Sequence, residues 1–256
     1  MIKISVVTIS FNQAKYLPAC IDSVLDQHYG NLQYIVVDPG STDGSRAIID
    51  GYGDRIQRVY ERDRGPADGL NNGFRQATGE IFFFLNADDA LLPGSLAYAA
   101  AVFEAHPEID VLCGSGFKID GDGKLLREIR ASTMSRLRLV YGAANLFQQG
   151  VFFRAGSYHA VQGFNIENST CWDGELLLDM AVRGARFRAS RRHIGLFRIH
   201  DTSISGTNRL LEQFYRDGAR MFRKVMNRDR RPYDMIPAYL LTAEKHLTTR
   251  LPTRWR

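Results

Sequence analysis

Short β-branched or aromatic runs alternate with amphipathic segments through the first half of the chain, and this alternation restricts the fold more than any other feature. Ile4–Ile9, Tyr34–Val37, Ile56–Tyr60 and Glu80–Leu85 read as strands. Between them, Tyr16–Gln27 carries apolar residues at 17, 20, 21, 24 and 25, a helical stripe. A second helix is expected through Ile48 and Ile49, after the turn cluster DPGSTDGS, and a third over Ala67–Gln76. Such a pattern predicts an α/β fold with a mostly parallel central sheet flanked by helices. At 256 residues and 45% hydrophobic, the chain can cover a sheet of that kind on both faces.

The pattern continues with a helix over Gly94–Ala105, a strand over Val111–Cys113 and a hairpin tipped by DGDG, Asp120–Gly123. After about residue 130 it loosens. A strand at Gly150–Phe153, a helix at Asp173–Arg183 and a late strand at Ile194–Ile199 are expected, then helices over Leu210–Met226 and Pro237–Leu247.

Parallel sheets bind ligands beyond the carboxyl ends of their strands. Three such ends carry polar clusters: TISFN, DPGSTDG and NADD. The last sets Asp88 beside Asp89 directly after an apolar strand. Two adjacent acids there either form a solvated turn that caps the next helix or present hard oxygen ligands to a divalent cation.

Several chemistries are excluded by what these ends lack. ISFNQAK follows the first strand where a dinucleotide fold needs G-x-G-x-x-G. Neither a P-loop nor a G-x-S-x-G elbow occurs anywhere. Three cysteines, Cys20, Cys113 and Cys171, give no paired spacing for a disulfide framework or a zinc site, so a reducing compartment is expected. The start, MIKISVVTISFN, has neither the charge pattern nor the cleavage site of a signal peptide, and no run is long enough to span a membrane. A cytoplasmic protein is expected, at most peripheral on the inner face of the cell membrane.

Three blocks carry a resemblance. SVVTISFNQAKYLPACIDSVLDQ, YIVVDPGSTDGS and GPADGLNNGFRQATGEIFFFLNADD occur in the order and spacing of the inverting glycosyltransferases of family 2, which have the GT-A fold. CWDGELLLDMAVRG and FRIHDTSISG are weaker echoes of the same family. The resemblance implies a GT-A domain over residues 1–207, with a Rossmann-like nucleotide-sugar-binding half at 1–115 and an acceptor half at 116–207. It implies a Mn²⁺ or Mg²⁺ cofactor, a nucleoside-diphosphate sugar donor (UDP-sugar favoured) and a glycan or lipid-linked acceptor. The activity implied is metal-dependent transfer of one sugar with inversion, in polysaccharide or cell-envelope glycan synthesis. The alternative is a non-catalytic nucleotide-sugar sensor or scaffold with the same fold.

By the same resemblance, Asp89 is a direct metal ligand, His200 a further one, and Asp88 contacts ribose or the metal through water. Asp173 corresponds to the base that an inverting displacement needs, with Glu175 the alternate. Read without the family, Asp173 is a helix N-cap and His200 a structural histidine. Thr8, Phe11, Asn12, Asp38, Asp68 and Asn71 would line the nucleotide pocket, Phe11 as a flat apolar face and Asp38 as acceptor for a base N–H. Pro39 departs from the family pattern and removes an amide donor from that loop. The terminal LPTRWR lacks the Gln of the processive Q-x-x-R-W motif, so a non-processive enzyme is expected.

The net charge of +5 is concentrated in residues 208–256, where 12 Lys+Arg meet 5 Asp+Glu. A basic tail on a balanced core argues against nucleic acid as partner. The helix over Leu210–Met226 sets Leu210, Leu211, Phe214, Met221 and Val225 on one broad face. Two readings follow: a face that packs on the domain, or a basic helical tail that meets an anionic membrane surface.

Overall fold

The computed structural model describes residues 1–201 and 210–250. In chain order the elements are β1 (Ile4–Ile9), α1 (Leu17–Leu25), β2 (Leu32–Val37), α2 (Ser45–Gly51), β3 (Gln57–Val59), α3 (Pro66–Phe74), β4 (Ile81–Asn86), β5 (Ala90–Leu91) and α4 (Ser95–Ala105). Then follow β6 (Val111–Ile119), β7 (Leu125–Ile129), α5 (Arg136–Val140), β8 (Val151–Arg154), α6 (Ala155–Ala160), α7 (Trp172–Val182) and β9 (Phe187–Arg198), with α8 (Leu211–Met226) and α9 (Met235–Arg250) last. The boundary expected at residue 207, the segment Thr202–Gly206 and Trp255 lie outside the described residues.

One sheet runs β3-β2-β1-β4-β8-β6-β9-β5, with β7 paired to β6 off that path. β3, β2, β1 and β4 are mutually parallel, as the alternation predicts. The other half corrects the expectation of a mostly parallel sheet. β8 is antiparallel to both β4 and β6, β7 is antiparallel to β6, and β5 is antiparallel to β9. The sheet is therefore mixed. The physical reason is the chain path: β6 and β7 form the hairpin expected at Asp120–Gly123, and no helix of crossover length separates those two strands.

Each face of the sheet has its own core. Ile4, Val6, Val36, Phe83 and Leu85 point to one side and pack with Leu17, Ile21 and Val24 of α1 and with Leu96 and Phe103 of α4. Val7, Ile35, Phe82 and Phe84 point to the other and meet Leu70 and Phe74 of α3 and Leu176 and Leu177 of α7. Strand residues alternate between the two clusters because strand side chains have a period of 2. β1, β2 and β4 are apolar on both faces for that reason.

The C-terminal helices do not stand apart. The second half of α8 buries Met221 and Phe222 against Val140 and Leu178. Leu211 and Phe214, on the same face, remain exposed.

Candidate active site

β1, β2 and β4 run parallel with Ile9 level with Val37 and Asn86, so the residues that end or follow them emerge side by side. Ser10 Oγ, Asp38 Oδ2 and Asn86 Oδ1 are all buried there without a hydrogen-bond partner. Leaving a buried polar atom unsatisfied costs about 1–3 kcal/mol. Native structures pair nearly all such atoms, so three at one sheet edge mark a place built to receive a polar ligand.

Asp38 is the deepest of the three, with no exposed surface. Its Oδ1 accepts from the N–H groups of Gly40 (2.9 Å) and Ser41 (2.8 Å) and from Arg46 Nε (3.2 Å). Pro39 has no N–H to offer, and the turn donates from the next two residues instead. Gly40 holds a φ of 143°, which a side chain would strain. Asn12 ties this loop to the first: its Oδ1 accepts from Thr42 N (2.9 Å), and its N–H donates to Ser41 Oγ (2.8 Å). Phe11 beside it is 61% exposed.

Asp88 and Asp89 occupy the reversal between β4 and β5, and their surroundings differ. Asp88 is mostly covered, and its Oδ2 lies 3.0 Å from His200 Nε2. The His200 ring leans on Tyr16 at a centroid separation of 4.7 Å. Asp89 is 1% exposed, and both its oxygens are engaged. Oδ1 accepts from the N–H of Arg198 (2.9 Å), and Oδ2 accepts from Gln149 Nε2 (2.6 Å) and Asn86 Nδ2 (3.4 Å). Burial, then the Asp88 charge, push the Asp89 carboxyl well above the usual carboxylate range, against those hydrogen bonds. Asp89 is thus tied to the reversal and its neighbours through both oxygens, while Asp88 pairs with His200.

Asp173 is the second residue of α7. It is half-buried, and its Oδ1 accepts from Gly174 N (2.8 Å). Removal from water raises its pKa above the ordinary carboxylate value. Near it, Trp172 Nε1 is another buried donor without a partner. Glu175 is different. It is 1% exposed and takes hydrogen bonds from Asn165 Nδ2 (3.0 Å), Asn168 Nδ2 (2.7 Å) and Arg220 (2.8 Å). Its carboxylate thus ties α7 to the loop before it and to α8.

Two other expected pocket residues are structural. Thr8 is fully buried and bonds Tyr34 Oη at 3.0 Å beneath the sheet edge. Asn71 makes three hydrogen bonds: Nδ2 donates to Phe164 O, and Oδ1 accepts from Tyr158 Oη and Phe164 N, joining α3 to the loop before α7. Asp68 accepts from the N–H and Nε of Arg64, at 3.1 and 3.2 Å, and keeps some exposure.

The family model for glycosyl transferase family 2 matches residues 5–162 of this chain. The chain belongs to glycosyl transferase family 2. A relative from Nostoc sp., an uncharacterized glycosyltransferase, is 36% identical over 128 residues, covering 48% of this chain and 39% of the relative. A PGL/p-HBAD biosynthesis glycosyltransferase of Mycobacterium tuberculosis is 30% identical over 173 residues, 63% of each chain. The matches thus span between about a third and two thirds of these relatives' length, as little as 36% for one from Rickettsia typhi. Among solved structures, S. aureus TarS 1–349 in complex with UDP-GlcNAc superposes with a TM-score of 0.71 at 19% identity, covering 96% of this chain and 73% of that one. Mannosyltransferase PcManGT from Pyrobaculum calidifontis, in complex with GDP-Man and Mn²⁺, gives 0.66 at 19% identity, covering 97% and 71%. These likenesses show a GT-A-like fold.

Family 2 enzymes typically use a divalent metal. In this family 2 chain, no cluster of three or more His, Cys, Asp or Glu side chains able to hold a metal occurs among the described residues. Two protein donors do converge, Asp88 Oδ2 and His200 Nε2. One hard oxygen and one imidazole fit an ion that completes its shell from a diphosphate and water.

The family 2 site also contains residues that sequence reasoning missed. Arg198 donates from Nε to Asp88 O (2.9 Å) and from Nη1 to Asp120 O (3.2 Å), and its guanidinium lies over the Tyr16 ring at 4.9 Å. Gln148 Nε2 donates to Phe84 O at 2.6 Å, setting Gln149 beside Asp89. Gly195 permits that approach, because a Cβ there would stand 2.7 Å from Gln149 O. FRIH contained the only available signal, an arginine two residues before the histidine.

Proposed function

We propose that the chain transfers a single sugar from a nucleoside-diphosphate sugar to an acceptor hydroxyl with inversion, acting in polysaccharide or cell-envelope glycan synthesis. The observation that carries this reading is the row of unpartnered polar atoms at Ser10, Asp38 and Asn86, set beside the Asp88–His200 pair. In it, residues 1–115 hold the donor and 116–207 the acceptor.

Asp38 Oδ2 would accept the imino N–H of a uracil, with Phe11 as the flat face against the base. The two structural neighbours carry UDP-GlcNAc and GDP-Man, so likeness does not choose the base. One acceptor carboxylate oxygen suits the imino N–H of uracil or of guanine. Asp88 and His200 would hold Mn²⁺ or Mg²⁺, which when bound offsets charge gathering on the departing diphosphate. Asp173 takes the proton of the acceptor hydroxyl. As the acceptor oxygen bonds the anomeric carbon, the carbon–oxygen bond to the diphosphate breaks and its electron pair leaves with the diphosphate. A carboxylate with a raised pKa suits that base role, since its conjugate acid forms at less cost. A lipid-linked acceptor would bring the enzyme to the inner face of the cell membrane, held by its basic C-terminal region.

The test is a donor panel assayed for nucleoside diphosphate release with and without Mn²⁺, beside thermal shift with UDP, GDP and dTDP. Metal-dependent release from a UDP-sugar, and the largest shift with UDP, are expected. Binding without turnover across the panel and a range of acceptors would identify a sensor and overturn the enzymatic reading.

A further inference from the structure

α9 exposes an apolar face that nothing in the described chain covers. Met235, Ile236, Tyr239, Leu240 and Leu247 are between 60% and 75% exposed. At about 100° per residue these five fall within an arc of about 140°, together with half-buried Ala243 and one exposed polar residue, His246. The opposite side of the helix faces the protein, where Lys245 is buried. Single exposed apolar residues are ordinary, but a continuous stripe of this length on one helix marks a docking surface.

The charges around the stripe identify what it meets. From Arg228 to Arg256 the chain has seven Lys+Arg and three Asp+Glu. Each of the three acids is already paired: Asp229 with Arg223 (3.4 Å), Asp234 with Arg228 (2.6 Å) and Glu244 with Arg138 (2.7 Å). Two of those partners belong to this same basic region or to α8, and the third comes from α5. Arg230 and Arg231, just before the stripe, add positive charge that no acid in this segment offsets. Tyr233 and Tyr239 are exposed aromatics of the kind that sit at a lipid headgroup layer. Among the described residues no helix is long and apolar enough to cross a membrane.

We infer that α9 lies in the plane of an anionic lipid surface, with Met235–Leu247 as the immersed face. A surface helix with an exposed apolar side and basic surroundings binds in this way. This locates on α9 the peripheral placement proposed above and rests on it. The second half of α8 does not offer such a face: Met221 and Phe222 are buried, while Arg220 and Lys224 are committed to Glu175 and Asp179.

Co-sedimentation of the full chain with phosphatidylcholine vesicles, with and without phosphatidylglycerol, tests it. Ile236→Asp combined with Leu240→Asp, both at exposed positions, should keep the melting temperature and lower the partition onto anionic vesicles about tenfold or more. Leu125→Asp with Leu126→Asp, which charges the exposed β7 strand instead, should leave the partition unchanged. Binding by the native chain that the α9 variant retains would overturn the assignment to α9 and spare the peripheral placement. No binding by the native chain would remove both. A concentration-dependent dimer that the α9 variant abolishes, without vesicle binding, would make the stripe a contact between two copies and overturn the lipid reading.

Discussion

Two regions of this molecule bury polar groups, and they treat them in opposite ways. At the carboxyl ends of β2, β1 and β4, Asp38, Ser10 and Asn86 each leave one buried atom unpartnered. Where α7 meets α8, the buried carboxylates are paired. Glu175 is held by Arg220 and two asparagines, and Asp217 accepts from Thr170 Oγ1 at 2.7 Å and from Gln213 Nε2 at 3.1 Å. Both regions hide charge from water, which costs several kcal/mol unless it is compensated. At the junction the protein supplies the compensation and the result is scaffold. At the strand ends it supplies only part: Asp38 Oδ1 is held by Arg46 and two backbone N–H groups, while Oδ2 is left without a partner. Asp88 and Asp89 show the same contrast between adjacent residues: one faces the cleft and the other is bonded through both oxygens.

The strongest way to break the comparison is at its boundary, where Asp173 stands on the scaffold helix and is the proposed base. Asp173→Asn should lower transfer by about 10²–10⁴-fold, the usual worth of a general base, while UDP binding stays intact. Stability should change with the opposite sign. Because the folded-state pKa of Asp173 is raised, ionising it opposes folding. The asparagine variant should therefore melt at or above the native temperature at neutral pH. That gain should vanish below the ordinary carboxylate pKa, where Asp173 is protonated in both states. Loss of UDP binding in calorimetry would put Asp173 in the donor site.

Asp88 and Asp89 sharpen it next. Asp88→Asn should abolish the metal dependence of turnover with little change in melting temperature. Asp89→Ala should instead destabilise by about 1–3 kcal/mol, because Gln149 Nε2 and the Arg198 N–H lose their acceptor in a buried place. Urea denaturation of both variants decides the matter, and equal unfolding midpoints would dissolve the distinction.

Arg220→Ala tests the scaffold side. Removing the cation leaves Glu175 buried with only Lys224 as a charged partner, at 3.6 Å. A loss of about 1–3 kcal/mol is expected, less than for a fully enclosed pair because the arginine is partly solvated. Arg220→Lys should recover part of it in thermal melts.

The smallest effect concerns pH. Asp173 acts as a base only when ionised, so transfer should fall as pH drops through its folded-state pKa. With that pKa raised, the acid limb of kcat should lie above the range of about 4 typical of an exposed aspartate. An acid limb that persists unchanged in Asp173→Glu would point to another group.

Much of the donor side is legible in the sequence because its signals are local. β1, β2 and β4 show as apolar runs, α1 and α3 as helical periods, and the polar clusters stand at the strand ends in single short stretches. Asp38, Asp88 and Asp89 stand out in those stretches, whereas Asp173 is reached only through the family resemblance. β5 and the first half of β9 could not. Ala90–Leu91 is two residues long, and FRASRRH has no alternation, since its pairing with β6 comes from the partner strand.

What the sequence alone determined here is the set of chemical groups and the order in which the strands present them, because period and turn chemistry act over a few residues. Which carboxylate stays available was decided by tertiary structure. Asp89 is occupied by Gln149, 60 positions away, and by Arg198, 109 positions away. Glu175 is occupied by Arg220, 45 positions away on α8. A carboxylate's role depends on which donors reach its oxygens, and only the folded chain brings those donors within 3 Å.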